Sequence, residues 1–220
     1  MLKSGTSVVS NAVKAPQAWS ILRWIGAAGL IVTGALLVIR GESTTDNQTA
    51  AFTQEQQALR RAFGVFPDGS QSNDQSPTSG NARESIALLK MSSINLDVVV
   101  VDYYEYADLE TAVGRMRNSS QLGTTGSSVI VGHRTGFGSP FLNLDEVKVG
   151  ETLEVTLRSG EVLDFSVTRN DIVSPSIDLS TYDNKDEVPQ VILVTCHPEY
   201  STEERLVIVA ELRASSAESA

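Results

Sequence analysis

The chain holds one cysteine and two histidines. Cys196 ends its most apolar run, Val191-Ile192-Leu193-Val194-Thr195-Cys196, and is followed by His197 and Pro198. Proline cannot donate to a strand ladder, so the strand is expected to stop near Cys196, with the thiol at a rim. A lone cysteine is most often a small buried hydrophobe, but its companions here favour chemistry. His133 also follows a short apolar run, Val129-Ile130-Val131-Gly132, and opens a polar loop. Arg205 lies nine residues after Cys196, at the start of another apolar run, Leu206–Leu212. If those last two runs pair antiparallel, the loop 197–204 returns Arg205 beside Cys196. Thiol, imidazole and guanidinium at one rim would supply a nucleophile, a proton carrier and a cationic donor. That set suits acyl transfer, in which a thiolate attacks and a fixed donor meets the developing oxyanion.

His197 adjoins Cys196, but successive strand residues point to opposite faces. His133 is therefore the expected base and His197 a loop histidine. One Cys and two His match no zinc spacing, so neither a metal nor a cofactor is expected. The acidic residues Glu199, Glu203 and Glu204, and Glu105, Asp108 and Glu110, read most simply as solvated surface, with calcium as the alternative.

Short alternating or apolar runs between turn signals must position these groups. Strands are expected over 86–91, 97–101, 128–131, 152–158, 161–168, 190–195 and 206–212. Ser159-Gly160 between the fourth and fifth is a hairpin signal. One short helix is expected over Asp108 to Met116, with Asp108 as N-cap. Seven or eight short strands with one or two short helices read as an all-β fold, a closed barrel or a sandwich.

The rest of the chain differs in texture. Residues 1–40 carry Lys3, Lys14, Arg23 and Arg40 and no acid, leaving 13 basic and 27 acidic residues, net −14, for the remainder. The whole is −10, which argues against nucleic acid as a partner. Trp24 to Ile39 is uncharged, and extending it to Trp19 gives a helix of about 31 Å, enough to span a bilayer core. Trp19 and Trp24 suit the interfacial belt, and Arg23 can snorkel. A cleaved leader is the alternative, although the run ends Val-Ile-Arg without a small-x-small pattern. The positive-inside rule then assigns 1–18 to the cytoplasm, 19–39 to a single-pass anchor and the rest to the outside. Residues 40–83 read as an extracellular stem. Its first part, 49–63, has a weak helical stripe of Phe52, Leu59, Ala62 and Phe63. Its last part, 67–83, is a Ser/Asn/Asp/Pro/Gly linker. Residues 84–213 are expected to form the folded domain that would carry the catalytic groups, and 214–220 a polar tail.

Thr195-Cys196-His197-Pro198 followed by Ser201 and Arg205-Leu206, with Gly132-His133-Arg134-Thr135 and Pro140-Phe141 upstream, resembles the signature of sortases. The texture is most similar to class E, the housekeeping type. The resemblance implies a sortase β-barrel and a cysteine transpeptidase at the bacterial cell surface. Cys196 would be the nucleophile, His133 the general acid and base, and Arg205 the oxyanion or substrate stabiliser, with Thr195 lining the substrate groove. It implies as partners a surface protein bearing an LPxTG- or LAxTG-like signal, cut between Thr and Gly, and a lipid-linked peptidoglycan amine. Alternatives are a pilus-assembly sortase and a non-catalytic anchored surface domain. Asp68-Gly69-Ser70 is not the aromatic-acidic lid usual in pilus-building members. An L,D-transpeptidase would carry Ser-x-Gly-Cys, which Val194-Thr195-Cys196 lacks.

Overall fold

Eight strands form in a computed structural model that describes residues 44–64, 85–102, 106–184 and 188–213. They are β1 (Ser85–Met91), β2 (Leu96–Val101), β3 (Val113–Arg115), β4 (Gly126–Val131), β5 (Thr152–Leu157), β6 (Val162–Val173), β7 (Pro189–His197) and β8 (Glu204–Leu212). Their order, β1-β2-β3-β4-β7-β8-β6-β5, closes into a barrel. The expected all-β barrel is present. The β5–β6 hairpin turns at Ser159-Gly160, where Gly160 takes a positive φ of 87°.

Period-two alternation sorts the side chains. Ala87, Leu89 and Met91 of β1, Ile130 of β4, Val191 and Leu193 of β7, and Leu206, Ile208 and Ala210 of β8 fill the interior. The intervening Val129, Ile192, Val194, Val207 and Val209 face outward and make a second apolar cluster with Tyr182. This is why β7 reads as continuously apolar: both of its faces are covered.

Two elements differ from expectation. The helix expected over Asp108 to Met116 is a 3-10 turn, Tyr106–Glu110, followed by β3. β-Branched Val113 and Gly114 are poor helix residues. Here they join β2 in parallel and β4 antiparallel, closing the barrel wall, with Ala112 and Val113 buried. β6 continues past Thr168 to Val173 through a bulge between Val167 and Arg169.

The stem helix, here α1, spans residues 44–63 and packs on the barrel within one compact unit that starts at Thr44. Leu59 and Phe63 cover Leu88, Val99 and Val101 on the outer face of β1 and β2, and Phe52 joins the main core. Of β2, only Val100 and Val101 pair with β3. Gln56 serves the neighbouring backbone: Val99 N–H donates to its Oε1 at 2.7 Å, and its Nε2 donates to Val99 O at 3.1 Å. A side-chain amide thus substitutes for a missing strand partner. Among the described residues no helix is long and apolar enough to cross a membrane. The anchor expected over 19–39, the linker over 67–83 and the tail lie outside them.

Candidate active site

Strand register brings the three proposed residues into one row. In the antiparallel pair β7–β8, Cys196 stands directly opposite Arg205. In the parallel pair β4–β7 the ladder runs to Val131 opposite Val194, and Gly132 N–H still donates to Val194 O at 3.3 Å. Continued two places past the end of β4, the same register would bring His133 level with Cys196. In the antiparallel pair, directly opposed residues share a face and lie about 5 Å apart at Cβ, which sets Cys196 beside Arg205. Cys196 continues the outward series Ile192, Val194, while His133 continues Val129, Val131 and Arg205 continues Val209, Val207. The row therefore lies on the outer face, where these three strands end, and the thiol is half-buried.

The loop after β4 fixes His133. Its carbonyl accepts from Phe141 N–H at 3.1 Å, and Phe141 is wholly buried with Leu144. A Cβ at Gly132 would sit 2.9 Å from the Phe141 ring, so glycine lets the core reach beneath the loop. Phe137, at a positive φ of 49°, stacks against the imidazole with ring centroids 4.7 Å apart. Burial pushes the His133 pKa below the ordinary imidazole value, against an opposing pull from Glu110. The ring is thus poised as a proton acceptor near neutral pH.

Arg205 is held by its own loop. One amino group, Nη1, donates to Thr202 O at 3.1 Å and to Glu204 O at 2.9 Å. Nε and Nη2 have no protein partner among the described residues, so the guanidinium is anchored yet keeps donors for a ligand.

The other face of the strand ends is polar and closed. Thr195, expected in the groove, is 2 % exposed and donates through Oγ1 to Gly132 O at 2.8 Å, tying β7 to β4. Its odd position in β7 turns it away from Cys196. His197 also faces away, as parity requires, and accepts at Nδ1 from Arg134 Nη1 at 3.2 Å. Arg134 is 1 % exposed, although Gly132-His133-Arg134 reads as a surface loop in the sequence. The downstream signal for its burial is Phe141 and Leu144, which draw the loop over the barrel end.

The outer apolar face leads away from Cys196 along β4 and β7. The β6–β7 connection folds over it, placing Ile177, Leu179 and Tyr182 on the valines. Tyr182 is fixed by its hydroxyl to Asp171 at 3.1 Å, and its carbonyl accepts from Gln190 Nε2 at 2.7 Å. Between this flap and the sheet lies a cavity of about 310 Å³, walled by Met116, Val129, Leu179 and Ile192. Arg115 orders the opposite lip, with Nε on Asp102 at 2.7 Å and Nη1 on Ser120 O at 3.0 Å. Sequence reading missed this cavity because its walls come from four separate segments.

An outward thiol on the same face as an imidazole and a guanidinium is an arrangement for opening and remaking acyl bonds. Comparison with known proteins points the same way. A family model described as the Sortase domain matches residues 89–213. Sortase D of Bacillus subtilis is 24% identical over 177 residues, which cover 80% of this chain and 87% of that protein. Among solved structures, a Clostridium perfringens Sortase D5 transpeptidase superposes with a TM-score of 0.58 at 20% identity, covering 75% of this chain and 99% of its own. Sortase A from Corynebacterium diphtheriae superposes at 0.56 and 21% identity, covering 82% and 94%. At such identities the structures speak for the barrel, while the family model speaks for the chain. It takes in more than half of the 220 residues, from β1 to the end of β8, and with it the chain belongs to the sortase family of transpeptidases.

Proposed function

We propose that this sortase is a membrane-anchored cysteine transpeptidase that cleaves an LPxTG-like signal between Thr and Gly through a thioester on Cys196. One observation carries the reading: Cys196 stands opposite Arg205 in the β7–β8 ladder, and the β4–β7 register, continued two places past Val131–Val194, brings His133 level with them on the outer face. In the first half-reaction His133 takes the thiol proton and the sulfur attacks the Thr carbonyl. Arg205 donates to the oxyanion. The C–N bond breaks, and the new imidazolium protonates the departing glycine amine. In the second, an amine of a cell-wall precursor attacks the thioester, His133 accepts its proton, and the thiolate leaves.

The cavity, whose wall joins Met116, Val129, Leu179 and Ile192 to polar Asn118, Ser127 and Asp178, supports an extended signal with an apolar residue. Its wall residue Ile192 lies four residues from Cys196, about 13 Å along a strand. That is the reach of the residues preceding the scissile bond in an extended pentapeptide, where the signal carries Leu and Pro. The basic head and the apolar run over 19–39 support a single-pass anchor with a cytoplasmic N-terminus and an external catalytic domain. The GHRT and TCHP textures support a housekeeping, class E role.

The test is to incubate the protein with LPxTG and LAxTG peptides and an amine, and to follow cleavage and amine capture. Release of the glycine fragment by the wild type and not by Cys196→Ala is expected. Equal turnover by both would sink the reading.

A further inference from the structure

The catalytic row has a counterpart on the opposite face. Residues 134 and 197 each follow a member of the row: alternation along β7 turns His197 away from Cys196, and Arg134 lies buried in the loop after β4. There the Arg134 Nη1 donates to His197 Nδ1 at 3.2 Å. The backbone ladder between β4 and β7 is ending at this level. What continues it is Thr195 Oγ1 on Gly132 O and this Arg134–His197 bond. Arg134 is also clamped from below: Nη2 lies 2.7 Å from Asp145 and 4.0 Å from Glu199. The Asp145 contact is an ion pair without hydrogen-bond alignment, and Nε has no partner among the described residues. A buried guanidinium satisfied this incompletely is a poor stabiliser of the fold. It is costly to bury, yet it joins the His133 loop, the β7 end and the β7–β8 loop at one point.

We propose that Arg134 is a positioning residue: through its bond to His197 it holds the strand ends that carry His133 and Cys196 at the spacing that proton transfer needs. The proposal rests on the catalytic reading above, and its test separates the two. Asp145 and Glu199 are 42% and 48% exposed, so removing the cation leaves both carboxylates solvated instead of stranded. Arg134→Met should therefore fold.

The experiment compares the wild type with Arg134→Met, Arg134→Lys, His197→Phe and the Arg134→Met/His197→Phe double variant. For LPxTG-peptide turnover, Arg134→Met should lower kcat about 10- to 100-fold, the scale of a small misplacement, with KM nearly unchanged because the cavity under the β6–β7 connection is untouched. His197→Phe should reproduce the loss, and the double variant should add nothing. Arg134→Lys should recover part of kcat, since an ammonium can reach one partner but cannot fork across two. Additive losses in the double variant, or wild-type kcat in Arg134→Met, would overturn the proposal. If Arg134→Met fails to fold, His197→Phe, which keeps the Arg134–Asp145 pair, decides alone. If the wild type itself turns over no peptide, the catalytic reading fails, and iodoacetamide alkylation of Cys196 across pH decides instead. Arg134→Met should then shift its profile towards that of His133→Ala, and an unshifted profile refutes the bridge.

Discussion

Gly138→Ala tests whether α1 supports the loop that carries His133. Gly138 has a positive φ of 75°, and a Cβ there would lie 2.4 Å from Phe52 Cδ1 and 2.9 Å from Phe52 Cβ. Two effects add. An alanine in the left-handed region costs about 1–2 kcal/mol. The clash cannot be relieved by a rotamer change alone, because the Phe52 Cβ is itself too close. Phe52 is tied to a helix pinned by Gln56 on Val99 and by buried Leu59. Displacing the ring forfeits part of the roughly 3–5 kcal/mol that losing a core Phe typically costs. The sum is about 2–5 kcal/mol. Phe137, the residue before Gly138, stacks on His133, so turnover should fall along with stability. The assay is urea unfolding of Gly138→Ala, Phe52→Ala and the double variant, with peptide turnover on each. On the Phe52→Ala background the Gly138 substitution should cost only the backbone part, about 1–2 kcal/mol. Equal costs on both backgrounds would mean that the helix does not press on this turn.

Arg205→Lys keeps the charge but loses the planar fork, so turnover should fall about 10²–10³-fold while Cys196 alkylation changes little. Parallel loss of both would make Arg205 a tuner of the thiol and not an oxyanion donor. For pH, the folded His133 pKa lies below its unfolded value, so the unfolded chain binds the proton more readily. The wild type should lose stability relative to His133→Gln as pH falls through about 6.5; a difference in melting temperature that stays constant from neutral to acid pH would contradict this. Gln56→Ala, which orphans the Val99 N–H and C=O, should cost about 1–3 kcal/mol by urea unfolding, and a neutral result would mean that water serves that edge equally well.

The site was more legible in sequence than the scaffold around it. Pro198 after an apolar run marks a strand end, and alternation then separates Cys196 from His197 with no further information. The His133 and Arg205 placements follow from two such strand ends, and the antiparallel β7–β8 pair confirms the latter. The parallel β4–β7 pair joins residues 63 positions apart, beyond any local signal. β3 was hidden because three residues with a central glycine leave no period to detect. The docking of α1 was hidden by Gln56: a polar residue on the buried stripe weakens the amphipathic pattern, yet it makes the contact that substitutes for a strand. Thr195 and Arg134 show the same limit. Each is a polar residue buried by a hydrogen bond that only the folded chain supplies.

The central claim is a covalent one, so the most direct measurement is the intact mass of the protein quenched in acid during turnover of an LPxTG peptide without added amine. The account expects a mass increase equal to the acyl part of the peptide ending at Thr, mapped to Cys196, discharged by hydroxylamine and absent in Cys196→Ala. Peptide cleavage with no adduct in the wild type, or an adduct that persists in Cys196→Ala, would contradict it.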